Sequence, residues 1–217
     1  MGTGQAPGSG AGASPSGAGT AGSMQPGVVR YYRSLFPDPG TVLDVGCGRG
    51  DFLWPGAVGV DLDAASLPRD GRRVAVADLT GALPFRDGVF AGALAKDIIE
   101  HLVDPRPLLV ELRRVTRPGG RLVVVTPRDV PRAVWADYTH VRGFSRAALQ
   151  SLLRDTGWTP SRLHRMGPVP LAGRLGVEHV IPKILSVPGI GHYFGTNWQA
   201  VAHRTEGRGR ETMSTGR

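Results

Sequence analysis

Glycines and carboxylates whose spacing suits ligand binding follow the apolar residues 41–45. The glycines stand at alternate positions: Gly46, Gly48 and Gly50. Asp44 precedes them and Asp51 follows them. Glycines at this spacing let a backbone turn sharply and let a ligand approach it closely. The Gly-x-Gly-x-x-Gly fingerprint of nicotinamide and flavin sites places its third glycine one residue later, and two carboxylates would repel the pyrophosphate that it binds. The string therefore favours a ligand with a cationic end and no phosphate.

Two more acidic residues end apolar runs further along the chain. Asp61 closes residues 57–61 and precedes Leu62, and a carboxylate there can accept hydrogen bonds from both ribose hydroxyls. Asp78 closes residues 73–78, where it can accept from an adenine amino group while Leu79 packs on the ring. Taken singly, Asp61 also fits a helix start and Asp78 a turn cap. With Asp44, these acidic positions favour S-adenosylmethionine, which has an ammonium, a sulfonium and an adenosine.

Strands and helices in alternation must position these residues, and the sequence pattern predicts both. Apolar runs typical of buried strands occupy residues 41–45, 57–61, 73–78, 89–95, 121–126 and 198–202. Asp104 and Ser145 can cap two of the amphipathic helices, which are predicted at 28–35, 104–116 and 145–155. The short stretch from Asp44 to Asp61 leaves room for a helix of about two turns. Buried strands joined by helices indicate an α/β fold, with a parallel sheet covered on both faces and ligands beyond the carboxyl ends of its strands.

The strings on these elements resemble those of one family. They are Val-Leu-Asp-Val-Gly-Cys-Gly-Arg-Gly at 42–50, Gly-Val-Asp-Leu-Asp at 59–63, Ala-Asp-Leu at 77–79, Leu-Pro-Phe-Arg-Asp-Gly-Val-Phe at 83–90, Glu-His-Leu-Val-Asp-Pro at 100–105 and Arg-Pro-Gly-Gly-Arg-Leu-Val-Val-Val-Thr-Pro at 117–127. Through them the chain resembles the class I S-adenosylmethionine-dependent methyltransferases of the small-molecule type, related to the ubiquinone and menaquinone methyltransferases. The resemblance implies a doubly wound, Rossmann-like sheet of seven mostly parallel strands, with helices on both faces and an antiparallel last strand.

The resemblance also implies roles for individual residues. The cofactor-binding set that it implies is Asp44, Gly46, Gly48, Gly50, Asp61, Leu62, Asp78, Leu79 and Lys96. Asp97 falls with Lys96 where the family's fourth strand ends, beside the methionine part of the cofactor, and His101 falls near the methyl group. The sequence departs from the family pattern in two places. The helix after the glycine loop is short, and Ala91-Gly92 replaces an Asp-x pair.

Methyl transfer to a hydroxyl needs alignment of the acceptor and a general base. His140 lies in a polar segment after the fifth strand, and the resemblance implies that this segment is a loop over the pocket. Asp137 can orient the His140 imidazole. Asp97 and His101 are nearer the cofactor, so the predicted catalytic residues are His140, Asp97 and His101. Asp137, His140 and Asp97 could together ligate a metal ion, but their positions in the sequence do not have the spacing of a metal-binding motif, so no metal is predicted.

The ends of the chain differ in composition from the domain between them. Residues 1–26 hold eight glycines and no charge, which is typical of a disordered arm. Residues 205–217 predict a flexible tail, and residues 27–204 predict the methyltransferase domain. Within it, residues 166–197 predict an inserted helical segment that forms an extra packing layer, a lid over the acceptor or a dimer surface.

Composition limits the partners of this chain of 217 residues. It has one cysteine, a formal charge of +8 from dispersed basic residues, and no apolar stretch long enough to span a membrane. We therefore predict a cytoplasmic enzyme without a membrane or nucleic-acid partner, in which a homodimer is left open. Its predicted reaction is O-methylation of a small molecule in natural-product, sugar or secondary metabolism. The alternatives are an RNA methyltransferase, prompted by the charge, and a cofactor-binding partner protein without catalysis.

Overall fold

The computed structural model describes residues 26–36, 40–167 and 195–205. Its helices are α1 (Pro26–Ser34), α2 (Arg106–Val115), α3 (Pro131–Val134) and α4 (Arg146–Asp155). Its strands are β1 (Val42–Val45), β2 (Val58–Asp61), β3 (Val74–Val76), β4 (Phe90–Lys96), β5 (Thr116–Pro127), β6 (Trp158–Met166) and β7 (Asn197–Arg204). Most of the predicted arm and tail, and residues 168–194 of the predicted insertion, lie outside the described residues.

One seven-stranded sheet has the order β3-β2-β1-β4-β5-β7-β6. β1 pairs in parallel with both of its neighbours, so that Val45 lies opposite Val60 on one side and Ala95 on the other. The pairs β2–β3 and β4–β5 are also parallel, whereas β7 runs antiparallel to β5 and to β6. This confirms the predicted doubly wound sheet with an antiparallel last strand. Because the strand order reverses at β1, the carboxyl end of β1 is the topological switch point where ligands bind in such sheets.

Different elements cover the two faces of the sheet, because successive residues of a strand point to opposite sides. One face packs against α2 and α4, which bury Leu108, Leu109, Leu112, Leu149 and Leu153. The other face packs against α1, the residues just after it and residues 52–57, and this side buries Tyr32, Phe36, Trp54 and Ala57. Strand β5 serves both faces: Leu122 and Val124 point to the side of α2 and α4, and Val123 and Val125 point to the side of α1.

Strand β6 lies at the edge of the sheet, in a segment for which the residue pattern predicted no strand. Its sequence is mostly polar, and Pro160 lacks the N–H that a central strand uses. The register with β7 shifts between Pro160 and Arg162, which marks an irregularity in the pairing. The Trp158 indole anchors the start of the strand, because its N–H donates to the Leu109 carbonyl at 2.9 Å. An edge strand tolerates such a sequence, so apolar periodicity did not reveal it.

The short helix predicted between β1 and β2 is wrong, because residues 46–57 form turns instead. The Arg72 guanidinium donates to the carbonyls of Gly50 at 2.5 Å and Arg49 at 3.2 Å. Asp70 holds Arg72 in place through an ion pair of 2.9 Å. These carbonyls are therefore bonded to a side chain from the next connection rather than to a further helical turn.

Ser145 is the N-cap of α4, as predicted, whereas the N-cap of α2 is Pro105, which makes no side-chain cap hydrogen bond, and Asp104 lies one residue before it. The Ser145 hydroxyl accepts from the Ala148 N–H at 3.1 Å, at the start of α4. Asp104 Oδ1 accepts from the Arg106 N–H at 3.0 Å, and α2 begins at Arg106. Both contacts satisfy backbone N–H groups that have no partner within the helix.

Candidate active site

The glycine loop folds over the carboxyl end of β2. Its three glycines all have positive φ angles, of 68°, 46° and 77° for Gly46, Gly48 and Gly50. The N–H of Gly46 donates to the Val60 carbonyl at 2.8 Å, and the N–H of Gly48 donates to Asp61 Oδ2 at 2.8 Å. Residues with a Cβ adopt these φ values at a cost, which explains the repeated glycines.

Two of these glycines have very different surroundings. A Cβ on Gly46 would overlap the Ile98 side chain, so the loop lies directly against the turn that follows β4. A Cβ on Gly48 would meet no atom within 4 Å. The loop is thus fixed on the side of β4 and open at Gly48, where a ligand can approach the backbone.

Asp44 is a buried carboxyl at the base of the loop. Only 3% of the residue is exposed, and its Oδ2 has no hydrogen-bond partner among the described residues. Burial raises the pKa of Asp44 to about 7, while the nearby Lys96 cation opposes that rise. A buried carboxyl without a partner calls for a cationic group. The ammonium of S-adenosylmethionine fits this requirement.

Asp61 is bonded on both carboxylate oxygens but keeps acceptor capacity. Oδ2 accepts from Gly48 and Oδ1 accepts from the Asp63 N–H at 2.9 Å. Each carboxylate oxygen has two lone pairs, so Asp61 can still accept from two ribose hydroxyls. Leu62, the next residue, is 64% exposed at the same edge.

The two residues predicted at the adenine have different environments. Asp78 is exposed, and its Oδ1 accepts from both the N–H and the hydroxyl of Thr80 at 2.8 Å. These hydrogen bonds lower the pKa of the Asp78 carboxyl. Leu79 is buried in the core on the α2 face. Asp78 therefore caps a turn, the alternative that its sequence also fits, and the adenine contact stays a prediction for both residues.

The end of β4 places a cation and an anion beside the glycine loop. The Lys96 ammonium pairs with Asp97 Oδ2 and lies 5.1 Å from the centroid of the Phe52 ring. Asp97 has a φ of 55°, in the left-handed region that non-glycine residues rarely adopt. Its N–H is nevertheless held by the Val125 carbonyl at 2.9 Å. Sequence reasoning missed Phe52, which lies in the stretch that was expected to form a helix.

His101 is held through Thr139 by Asp137. The Thr139 hydroxyl donates to Asp137 Oδ1 at 2.6 Å and lies 3.0 Å from His101 Nδ1. Because the hydroxyl has a single proton, its oxygen can serve His101 only as an acceptor. Nδ1 of His101 therefore carries the hydrogen, and Nε2 has a free lone pair. Burial and the neighbouring His140 lower the pKa of His101.

His140 has a different partner from the one predicted. Its Nδ1 lies 2.7 Å from the Val134 carbonyl oxygen, which can only accept, so Nδ1 carries the hydrogen here too. Asp137 is bonded to Thr139 two residues on, as in an Asx-turn, and does not orient the His140 imidazole. The two imidazole rings have centroids 4.7 Å apart at an interplanar angle of 66°.

Glu100 belongs to the same cluster, although no role was predicted for it. The residue is fully buried, and its Oε2 accepts from the Thr126 hydroxyl at 2.9 Å. Burial, with the nearby Asp97 carboxylate, raises the pKa of Glu100 to about 8. The Glu100 carbonyl accepts from the Val141 N–H at 2.9 Å, which ties the His140 segment to the end of β4. The sequence signal that could have revealed Glu100 is an acidic residue that follows two isoleucines shortly after the fourth predicted strand.

Comparison with known proteins identifies the family. A family described as a methyltransferase domain matches residues 23–162, which is more than half of the chain. The chain belongs to the class I S-adenosylmethionine-dependent methyltransferases. Among its described residues, no helix has both the length and the apolar character needed to cross a bilayer. The ubiquinone and menaquinone subtype stays a prediction.

This methyltransferase is similar to curated relatives over part of their length. It is 30% identical over 131 residues to a probable S-adenosylmethionine-dependent methyltransferase of Mycolicibacterium smegmatis, covering 54% of this chain and 51% of the relative. It is 30% identical over 141 residues to the O-methyltransferase cnsE of Penicillium expansum, with the same two coverages. The chain thus spans about half the length of these relatives. A solved structure of a SAM-dependent methyltransferase from Archaeoglobus fulgidus aligns with a TM-score of 0.62 at 21% identity, covering 81% of this chain and 91% of that one.

Proposed function

We propose that this methyltransferase moves a methyl group from S-adenosylmethionine to the hydroxyl oxygen of a small-molecule acceptor. The observation that carries the proposal is the pair of imidazoles next to the end of β4. His101 and His140 are neighbours, and each has its Nδ1 bonded within the protein, while neither Nε2 has a hydrogen-bond partner among the described residues. A hydroxyl acceptor needs a neutral, proton-accepting group of this kind.

The cofactor is proposed to bind along the edge formed by the glycine loop and the ends of β2 and β3. Asp44 would hold its ammonium, Asp61 its ribose and Asp78 its adenine amino group, and the open side of Gly48 would admit it. When bound there, S-adenosylmethionine supplies an electrophilic methyl group on a sulfonium. The remaining members of the proposed cofactor set are Gly46, Gly50, Leu62, Leu79 and Lys96.

His140 is proposed to activate the acceptor hydroxyl. As the acceptor oxygen bonds to the methyl carbon, the carbon–sulfur bond breaks and the hydroxyl proton passes to His140 Nε2. The Val134 carbonyl selects the tautomer of the neutral ring in which Nδ1 carries the hydrogen and Nε2 is the accepting nitrogen. His101 and Asp97 line the same side and are proposed to align the acceptor. Ile98 connects this side to the glycine loop, since it packs against Gly46.

An apolar or phenolic acceptor suits the surface around His140. Trp135 and Tyr138 are 65% and 80% exposed on the segment that leads to this histidine. Flat aromatic side chains offer stacking area to a ring of the same kind. The name of the cnsE relative, an O-methyltransferase, agrees with transfer to oxygen. We place the reaction in the cytoplasm, where the buried free thiol of Cys47 stays reduced, and a homodimer stays a prediction.

A transfer assay tests the proposal. The chain is incubated with S-adenosylmethionine labelled on its methyl group and with a panel of phenols, sugars, carboxylic acids and transfer RNA. We expect label on a hydroxyl of a phenolic acceptor with the unsubstituted chain, and a large loss of transfer with His140→Ala. Label in RNA, with none in the small molecules, would contradict the proposal and favour the alternative RNA methyltransferase.

A further inference from the structure

The acceptor side of the site, by which we mean the turn after β4 and the segment around His140, holds three side chains whose metal-ligating atoms lie close together. One carboxylate oxygen of Glu100 and one ring nitrogen each from His101 and His140 lie within 4.8 Å of one another. They come from two separate parts of the chain, the turn after β4 and the segment before α4. No ligand spacing is visible in the sequence, which explains why no metal was predicted there.

Both imidazoles are arranged as they are in metal sites. A ligating histidine usually donates its other ring N–H to a carbonyl, a carboxylate or another fixed acceptor, which sets the tautomer and the ring orientation. His140 donates from Nδ1 to the Val134 carbonyl. His101 donates from Nδ1 to Thr139, whose hydroxyl is bonded in turn to Asp137. Both Nε2 lone pairs are thereby available to a cation.

Glu100 supplies an independent sign of a missing partner. The residue has no exposed surface, and its Oε1 has no hydrogen-bond partner among the described residues. Its other oxygen is fixed by Thr126. Buried polar atoms of this kind are ordinarily satisfied, so an unpartnered carboxyl oxygen beside two imidazole lone pairs points to a cationic ligand.

We propose that Glu100, His101 and His140 bind a divalent transition-metal cation. Two imidazoles and one carboxylate suit zinc, cobalt or ferrous iron better than magnesium, which prefers oxygen ligands. Metal bonds of about 2.0–2.2 Å place ligand atoms roughly 3.4 Å apart in a tetrahedral site, so binding draws any two of these atoms together by at most about 1.4 Å. Such a site keeps a position open for a further ligand.

This inference rests on the proposed function, and it replaces proton transfer to His140 with another way of activating the acceptor hydroxyl. A cation held by the three side chains would bind the acceptor's hydroxyl oxygen and would lower the pKa of that hydroxyl. The proton would then leave to solvent, and the two imidazoles would act as ligands instead of receiving it. The oxygen–carbon bond still forms as the carbon–sulfur bond breaks, so no oxidant or reductant is required.

Cobalt(II) titration of the full chain, tag-free and stripped of metal by a chelator, tests the site without an activity assay. We expect saturable binding of one cobalt ion per chain, with the visible absorption of a site that contains nitrogen ligands. Glu100→Gln, His101→Asn and His140→Asn each remove one ligand atom, and the two asparagines keep an amide near the Nδ1 position. Each should weaken binding by about tenfold or more.

Controls separate this site from other histidines and from loss of the fold. His203→Asn, on β7, should leave cobalt binding unchanged, and each variant is titrated with S-adenosylhomocysteine to show an intact cofactor side. The proposal would be overturned if the unsubstituted chain showed no saturable cobalt binding, or if all three ligand variants bound cobalt as tightly as the unsubstituted chain. Cobalt binding without S-adenosylhomocysteine binding would support the metal site while contradicting the proposed function.

Discussion

The cofactor side and the acceptor side of this methyltransferase are built in different ways. On the cofactor side, Asp44, the glycine loop and Asp61 lie within one short stretch, and backbone hydrogen bonds hold the loop on β2. On the acceptor side, Glu100 and His101 meet Thr126 and His140 from distant parts of the chain, and side-chain contacts hold them. Backbone geometry leaves a local glycine pattern in the sequence, whereas a cluster assembled by the fold leaves none.

The largest effect that we expect is on the acceptor side. His140→Ala should lower turnover by roughly 10²–10⁴-fold, the usual worth of a positioned acid–base group. The affinity for S-adenosylhomocysteine should barely change, because His140 is assigned to the acceptor. Turnover at saturating acceptor and calorimetric titration measure the two quantities.

His101→Ala is the companion variant on the turn after β4. We expect it to disturb cofactor binding as well as turnover, since Ile98 on the same turn packs against the glycine loop. A His140→Ala variant that keeps more than about a third of the turnover would show that the residue does not activate the hydroxyl. Asp97 would then be the better candidate.

On the cofactor side, Gly46→Ala should destabilise the fold by about 2–5 kcal/mol, because it adds an overlap with Ile98 to an unfavourable φ. Chemical denaturation followed by circular dichroism measures the change. The matched control is Gly48→Ala, which meets no atom and should cost only about 1–2 kcal/mol for its positive φ. Equal losses of stability in the two variants would show that the close approach of Gly46 to Ile98 does not contribute to the free energy of unfolding.

A smaller effect is expected from the ribose position. Asp61→Ala should weaken S-adenosylhomocysteine binding by roughly 1–3 kcal/mol, the cost of losing hydrogen bonds to a charged acceptor. Part of the loss comes through the loop, since Asp61 also accepts from the Gly48 N–H. Asp63→Ala, which removes a neighbouring exposed carboxylate, is the control. Equal affinities for the Asp61→Ala and unsubstituted chains would contradict the ribose assignment.

The last effect is a pH dependence of stability that comes from Asp44. Burial raises the pKa of this carboxyl from 3.8 to about 7, so between these values the folded chain holds a proton that the unfolded chain has lost. The contribution of Asp44 to the free energy of unfolding therefore falls as the pH rises from about 4 to about 7.

Urea denaturation at several pH values measures this contribution. Asp44→Asn should gain stability relative to the unsubstituted chain as the pH rises across that window, and the gain should level off above about pH 7. A difference between the Asp44→Asn and unsubstituted chains that is the same at every pH would contradict the burial of an unpartnered carboxyl.

The comparison also explains how far the sequence could predict the molecule. The strand runs and the glycine string predicted the sheet and the loop, because both depend on local apolar patterns and backbone conformation. The missing helix could not be foreseen, since Arg72 reaches the loop carbonyls from another connection. The sequence predicted Asp137 as the partner of His140, but the Val134 carbonyl is the partner. This contact could not be predicted, because a backbone carbonyl carries no sequence signature.

Calorimetric titration of S-adenosylhomocysteine into the unsubstituted chain tests the central claim, a cofactor site at the carboxyl end of β1. We predict one site per chain, weakened in Asp61→Ala and unchanged in affinity by His140→Ala. A titration with NAD under the same conditions should give no binding heat, because Asp44 and Asp51 flank the loop. Absence of S-adenosylhomocysteine binding, or binding of NAD in its place, would contradict the account.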